Sequence, residues 1–172
     1  MKIKSASYKK LKLFGCYLIY PKLFKDTRGS FQEIYNQKYL YEITGKKYTF
    51  KQDNISISNK NVLRGLHFQI KKPQGKLIRV ISGSIYDVFV DLRKNSPTFK
   101  KYQSINLKAS ENINLWLPPG IAHGFFTISK KVILNYKVTQ FYDPNDEYTL
   151  KWNDQDLNIK WPTKKVILSK KD

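Results

Sequence analysis

Val62 to Gln69 reads V-L-R-G-L-H-F-Q, an apolar, β-prone run interrupted at Gly65 and carrying His67, one of only two histidines in the chain. Side chains on a strand alternate between two faces, so strict pleating would send Arg64 and His67 opposite ways. Imidazole suits proton transfer near neutral pH. If both aim inward, the pleat must break at Gly65, in a bulge or a strand end. The other histidine, His123, lies in L-P-P-G-I-A-H-G-F-F, Leu117 to Phe126, and the two segments are expected to fold onto one pocket. A lone strand histidine is more often a core or edge side chain satisfied by a neighbour, so the surrounding pattern decides between the two readings.

That pattern is one of strands. From Tyr48 onward hydrophobicity repeats every second residue, with Phe50, Gln52 and Asn54 expected on one face. Lys76 to Arg93 holds K-L-I-R-V-I and I-Y-D-V-F-V-D-L-R around Gly83-Ser84, a hairpin by loop length. Tyr102 to Leu107 and Ile113 to Leu117 are two more strands, closed by Pro118-Pro119-Gly120. Val132, Leu134, Tyr136, Val138, Gln140 and Tyr142 mark one face of a long strand, so Tyr136 and Tyr142 should look into the same space.

Nearer the N-terminus, Ser5 to Ile19 reads as an edge strand or an arm. Asp26 to Gly29 reads as a turn, with Phe31 and Glu33 sharing a face beyond it. Asn36 and Gly45 bracket a short amphipathic helix over Lys38 to Thr44. Past Asp143-Pro144 a looser segment with Trp152 and Trp161 runs to Asp172. Many short strands, no βαβ alternation and no internal repeat predict an all-β antiparallel sandwich or jelly roll, as one domain over residues 1–172.

The 172 residues suffice for one proper core, and 41% hydrophobic against 26% charged residues is a globular composition. No run approaches the ~20 apolar residues of a membrane span, and Met1 to Lys12 lacks a long apolar stretch after its lysines, so neither a signal peptide nor a membrane anchor is expected. Cys16 is the only cysteine, which excludes an internal disulfide and fits the cytoplasm. The net charge of +19 points toward a polyanion or an acidic small substrate. Because the lysines are spread along the chain, a solvated surface is the better reading, and neither nucleic acid nor membrane is expected as a partner.

Two histidine-bearing strand segments, the second introduced by P-P-G, resemble the cupin branch of the jelly rolls, a double-stranded β-helix with short peripheral helices. Most cupins hold a metal with three histidines and a glutamate. Here Phe68 and Gln69 follow His67 where a second ligand would stand, and two histidines in all leave a metal cage short of donors; no metal is expected. The likeness then becomes specific. F-K-D-T-R-G-S-F-Q-E (Phe24 to Glu33), Q-D-N-I-S (Gln52 to Ser56), V-L-R-G-L-H-F-Q, Q-G-K-L-I-R-V (Gln74 to Val80), D-L-R-K-N-S-P-T-F (Asp91 to Phe99), L-W-L-P-P-G-I-A-H-G-F, Y-K-V-T-Q-F-Y (Tyr136 to Tyr142), W-N-D, I-K-W-P and L-S-K-K-D resemble, in family order, the dTDP-4-dehydrorhamnose 3,5-epimerases.

The resemblance implies a cofactor-independent isomerase acting on a nucleotide-linked 4-keto-6-deoxyhexose. The ketone acidifies the hydrogens on C3 and C5, so inversion needs a base on one face, a group to hold the enolate oxygen, and an acid on the other face. By resemblance the base is His67, the acid Tyr136, the enolate-stabilising cation Lys76, and the carboxylate that orients His67 is Asp172, the last residue of the sequence. Arg64 matches a diphosphate-binding arginine, and Tyr142 an aromatic that stacks on the base. Arg28, Phe31, Glu33, Gln52 and Asn54 match positions that contact nucleotide or sugar, some across a homodimer by exchange of N-terminal strands. His123 and Asp87 match pocket-lining positions. The implied reaction converts dTDP-4-dehydro-6-deoxy-D-glucose to dTDP-4-dehydro-L-rhamnose, in the supply of rhamnose to surface polysaccharide. The rivals are a C3-only or C5-only epimerase, a 3,4-ketoisomerase, a GDP-sugar epimerase and, from another class, a non-enzymatic basic jelly roll that binds polyanions.

Overall fold

The computed structural model describes residues 2–3 and 6–172, with side chains from Ala6 onward. Its strands are β1 (Lys2–Ile3), β2 (Ala6–Lys10), β3 (Tyr17–Pro21), β4 (Leu23–Asp26), β5 (Gly29–Gln32), β6 (Gln52–Asn59), β7 (Leu63–Gln69), β8 (Lys76–Ser82), β9 (Ser84–Asp91), β10 (Tyr102–Lys108), β11 (Asn114–Leu117), β12 (Ile121–Thr127), β13 (Lys131–Val138) and β14 (Glu147–Thr149). Among the described residues one α-helix, α1, spans Gln37–Thr44. A seven-stranded sheet, β1-β2-β3-β11-β8-β13-β6, packs on a five-stranded sheet, β10-β9-β12-β7-β14, and β4 with β5 makes a separate two-stranded ribbon. The strand pairings are antiparallel throughout, which is a jelly roll of the cupin kind. Among the described residues no helix is long and apolar enough to cross a membrane.

Alternation builds the core. Ile78, Val80, Leu115, Leu117 and Leu134 from the larger sheet meet Ile85, Phe89, Leu107, Ile121 and Phe125 from the smaller one, all buried. Residues of opposite parity on the larger sheet, Leu77 and Trp116, face away and are covered by Tyr39, Leu40 and Ile43 of α1. The helix ends where expected: the Asn36 side chain accepts from the Lys38 N–H, and Gly45, at φ 69°, donates its N–H to the Tyr41 carbonyl. Behind the smaller sheet, Leu157, Ile159 and Trp161 cover Leu66, Val88 and Val90, and the chain then returns to the front through a parallel bridge between Ile167 and Val62.

Three expectations need correction. β8 and β9 do not form a hairpin: β8 pairs with β11 and β13, and β9 with β10 and β12. Both edges of β8 are already taken, so Gly83, at φ 82°, turns a corner that carries the chain to the opposite sheet. A Cβ there would lie 2.6 Å from the Lys131 carbonyl oxygen, which explains the glycine. Phe50 does not share the face of Gln52 and Asn54. It precedes β6 and packs edge-on against Tyr35 and Trp116 in the outer cluster. The long strand expected through Tyr142 stops at Val138, where the Thr139 N–H donates to the Gly75 carbonyl and its hydroxyl accepts from the Gly75 N–H. The N-terminal arm is an edge ribbon of β2 on β3, and Ser5 lies outside the described residues.

Candidate active site

One end of the space between the sheets is left open as a cavity of about 470 Å³, floored by Phe125 and Leu134. β7 delivers both Arg64 and His67 to it. Opposite Phe125 and His123 on β12, β7 spends one extra residue, pairing Arg64 with Phe125 and His67 with His123, which is the bulge that the sequence demands. Gly65, at φ 105°, sits so close to β12 that a Cβ would lie 2.5 Å from the His123 carbonyl oxygen. Gly124 faces it with similar clearance, 2.7 Å from the Arg64 carbonyl oxygen.

His67 is held by the chain terminus. Its Nε2 lies 2.6 Å from Asp172 Oδ1, and that oxygen also accepts from the Gly65 N–H at 3.1 Å. Oδ2 accepts from the Ser169 hydroxyl at 2.7 Å, and the Asp172 side chain is only 3% exposed. The tail is therefore docked. With Nε2–H donating to the carboxylate, Nδ1 keeps its lone pair, and Glu147 Oε1 stands 4.0 Å from it. Glu147 is itself fixed by Lys171 Nζ at 2.7 Å and by the Tyr142 hydroxyl at 3.1 Å. Next to it, Asp146 accepts backbone N–H groups of Ile70, Lys71 and Lys72, which ties β14 to the end of β7.

The opposite wall belongs to the larger sheet. Tyr136 on β13, with Gln52, Asn54 and Ser56 on β6, lines the cavity across from His67, and Lys76 at the start of β8 lies between the walls. Lys76 is buried, its Nζ donating to the His67 carbonyl at 2.9 Å. Burial pushes its pKa down to about 8, against the pull of Glu147 and Asp87. Burial likewise lowers His67 from its ordinary value, opposed by Asp172 and Glu147 and assisted by Lys76 and Lys171, so the imidazole is neutral near pH 7. Desolvation raises the Tyr136 phenol, with Arg64 and Lys171 partly offsetting it; it keeps its proton. Burial works against ionised Asp172, but the Ser169 hydroxyl, the Gly65 N–H and His67 outweigh it and hold the carboxyl below its usual range. Chemically, this is a base and an acid on two sides of a sugar-sized space, with an ammonium beside them.

The cavity brings together His67, Tyr136, Lys76, Asp172, Gln52, Asn54, Arg64, His123 and Tyr142 from the sequence reading. Asp87 stands behind His123, Oδ2 to Nε2 2.8 Å, fully buried. Arg28, Phe31 and Glu33 do not line it. Arg28 and Phe31 ride on the β4–β5 ribbon, the Arg28 side chain 87% exposed and bonded to Asp26 in its own turn. Sequence reasoning missed Gln74, Glu147, Ser169 and Lys171. Gln74, Ser169 and Lys171 stand inside the quoted Q-G-K and L-S-K-K-D segments, whereas Glu147 follows a turn with no periodic or motif signal. Among the described residues no three His, Cys, Asp or Glu side chains converge as a metal site.

Fold and cavity thus define a cupin-type jelly roll whose pocket is equipped for proton transfer. Residues 10–172 match the model of the family described as dTDP-4-dehydrorhamnose 3,5-epimerase. The Salmonella typhimurium enzyme of that name is 48% identical over 157 residues, covering 90% of this chain and 86% of its own. A solved dTDP-4-dehydrorhamnose 3,5-epimerase from Elizabethkingia anophelis superposes with a TM-score of 0.92 at 43% identity, over 97% of this chain and 93% of that one. The Legionella pneumophila dTDP-6-deoxy-D-glucose-3,5-epimerase, solved in complex with dTDP-4-keto-L-rhamnose, does so at 0.92 and 39% identity, over 97% and 89%. This chain belongs to the dTDP-4-dehydrorhamnose 3,5-epimerase family.

Proposed function

We propose that the protein is an isomerase that inverts C3 and C5 of dTDP-4-dehydro-6-deoxy-D-glucose to give dTDP-4-dehydro-L-rhamnose, in the cytoplasmic supply of rhamnose for surface polysaccharide. The observation that carries this reading is the placement of the Asp172-paired His67 and of Tyr136 on opposite walls of one cavity. His67 Nδ1 removes the proton α to the ketone. The resulting imidazolium is stabilised by Asp172, and by Glu147 at 4.0 Å. Negative charge moves onto the C4 oxygen, and Lys76 is the cation at hand to hold it, in a site where burial strengthens the attraction. Tyr136 returns a proton from the other face, and the configuration inverts. Arg64, beside His67 at the cavity wall, suits the diphosphate, and Tyr142 suits the face of the thymine.

The active form is a homodimer. Two observations support that: the β4–β5 ribbon carries Arg28 and Phe31 outward, away from the protomer's own cavity, and the edge strand β6 presents Ile55 and Ile57 at 68% and 56% exposure. Two protomers joined there would each offer Arg28, Phe31 and Glu33 to the other's nucleotide. Incubation in deuterated water with dTDP- and GDP-linked 4-keto-6-deoxyglucose, followed by NMR, tests the assignment. Deuterium at both C3 and C5 of the dTDP-sugar is expected; exchange at one carbon only, or preference for the GDP-sugar, would replace it with a rival reading.

A further inference from the structure

The β4–β5 ribbon joins neither main sheet. Among the described residues its strands pair only with each other, from Leu23 opposite Gln32 to Asp26 opposite Gly29, and its residues from Leu23 to Phe31 are exposed. A two-stranded ribbon has little stability of its own, so its direction is set at its root. There a buried guanidinium waits. Arg79, on the outer face of β8, donates from Nη2 to Gln32 Oε1 at 2.5 Å and to Asn112 Oδ1 at 3.0 Å. From Nη1 it donates to Asn114 Oδ1 at 3.0 Å and the Asn112 carbonyl at 3.2 Å. Gln32 in turn donates to the Pro21 carbonyl at 2.8 Å, and Asn114 to the Ile34 carbonyl at 2.6 Å. Gln32 at the end of β5, Pro21 at the end of β3 and Ile34 beyond the ribbon are thus linked, the last two through Gln32 and Asn114, to one planar cation that cannot rotate without losing its acceptors.

We propose that Arg79, through Gln32, is a positioning residue that aims the β4–β5 ribbon and so sets nucleotide-sugar affinity in the partner protomer's cavity. The inference rests on the shared-site reading given above. Arg79 touches no substrate in it. The ribbon extends roughly 10–13 Å from Gln32 to its turn at ~3.3 Å per residue, so a tilt of about 10° at the root displaces Arg28 by roughly 2 Å. Displacement of that size is enough to lose a phosphate or ring contact while leaving the chemistry at His67 untouched.

Gln32→Leu removes the acceptor but leaves Arg79 its bonds to both asparagines. The expected result is a rise of about tenfold in KM for the dTDP-ketosugar, and in the Kd of dTDP, with kcat within about twofold. Arg79→Met should act in the same direction; should it fail to fold, Gln32→Leu decides alone. Dimers that mix Gln32→Leu with His67→Asn chains contain a site with wild-type His67 and an intact ribbon from the other chain, and that site should recover the wild-type KM. Arg28→Ala is the control. If Arg28→Ala raises KM and Gln32→Leu does not, or if the mixed dimer keeps the high KM, the anchor inference falls by itself. If neither single variant changes KM, the shared-site reading falls and takes the inference with it.

Discussion

His67 stands between two carboxylates, Asp172 at Nε2 and Glu147 4.0 Å from Nδ1. Asp172 fixes the tautomer through Nε2 at 2.6 Å, so that Asp172→Asn should present the wrong hydrogen-bonding partner, lowering kcat by about 10²–10⁴ while KM stays nearly constant. Steady-state kinetics check this, and unchanged kcat would remove the dyad. The pH profile follows from the two shifted groups. Burial lowers His67 below its ordinary 6.5, so activity is lost only as pH falls below that value and the base gains a proton. Lys76, pushed down to about 8 by burial, loses its charge as pH rises, giving an alkaline limb near pH 8. Lys76→Arg should carry that limb out of range, because guanidinium stays charged. Most of these residues were legible because R-G-L-H, Q-G-K, Y-K-x-T and the terminal K-D stand in order along the chain. Glu147 was not, since it reaches His67 only through the pairing of β14 with β7, and nothing local in D-P-N-D-E announces that contact.

At the level of elements, β7 is the strand on which the site depends. Its bulge lets Arg64 and His67 share a cavity, and it exists because Gly65 and Gly124 let two backbones approach closely. Gly65→Ala should cost about 3 kcal/mol from the positive φ and the clash together, or on the order of 10 °C in Tm, with a loss of turnover in the fraction that remains folded. Calorimetry and kinetics on the same sample test it; an unchanged Tm would mean that the bulge needs no glycine. The bulge was readable once the family resemblance placed Arg64 beside His67, because two inward residues three apart on one strand then had to be reconciled. The caps of α1 were readable for the same reason: Asn36 and Gly45 act on their own neighbours. The corner at Gly83 was not. A short link looks the same whether the next strand pairs with the last or crosses to the facing sheet, and the choice is made by β11 and β13, which already occupy both edges of β8. The same holds for Phe50, whose place is decided by Trp116 and Tyr35 rather than by its distance from Gln52.

For the whole molecule, Ile55 and Ile57 are exposed on an edge strand and Phe31 on the β4–β5 ribbon, and the shared site proposed above makes these the surfaces to test. Ile55→Lys with Ile57→Lys should give a folded monomer by light scattering, with KM raised about tenfold or more as the borrowed contacts are lost; a fully active monomer would refute the shared site. Net charge of +19 is consistent with an anionic substrate but does not locate it. The central claim is that one ketosugar is worked from two sides, by His67 and by Tyr136. Deuterium uptake from solvent, compared with inversion, in wild type, His67→Asn and Tyr136→Phe tests it most directly. Wild type should both exchange and invert, His67→Asn should do neither, and Tyr136→Phe should exchange deuterium into the substrate without inverting it. Continued exchange in His67→Asn, or inversion at the wild-type rate in Tyr136→Phe, would contradict the account.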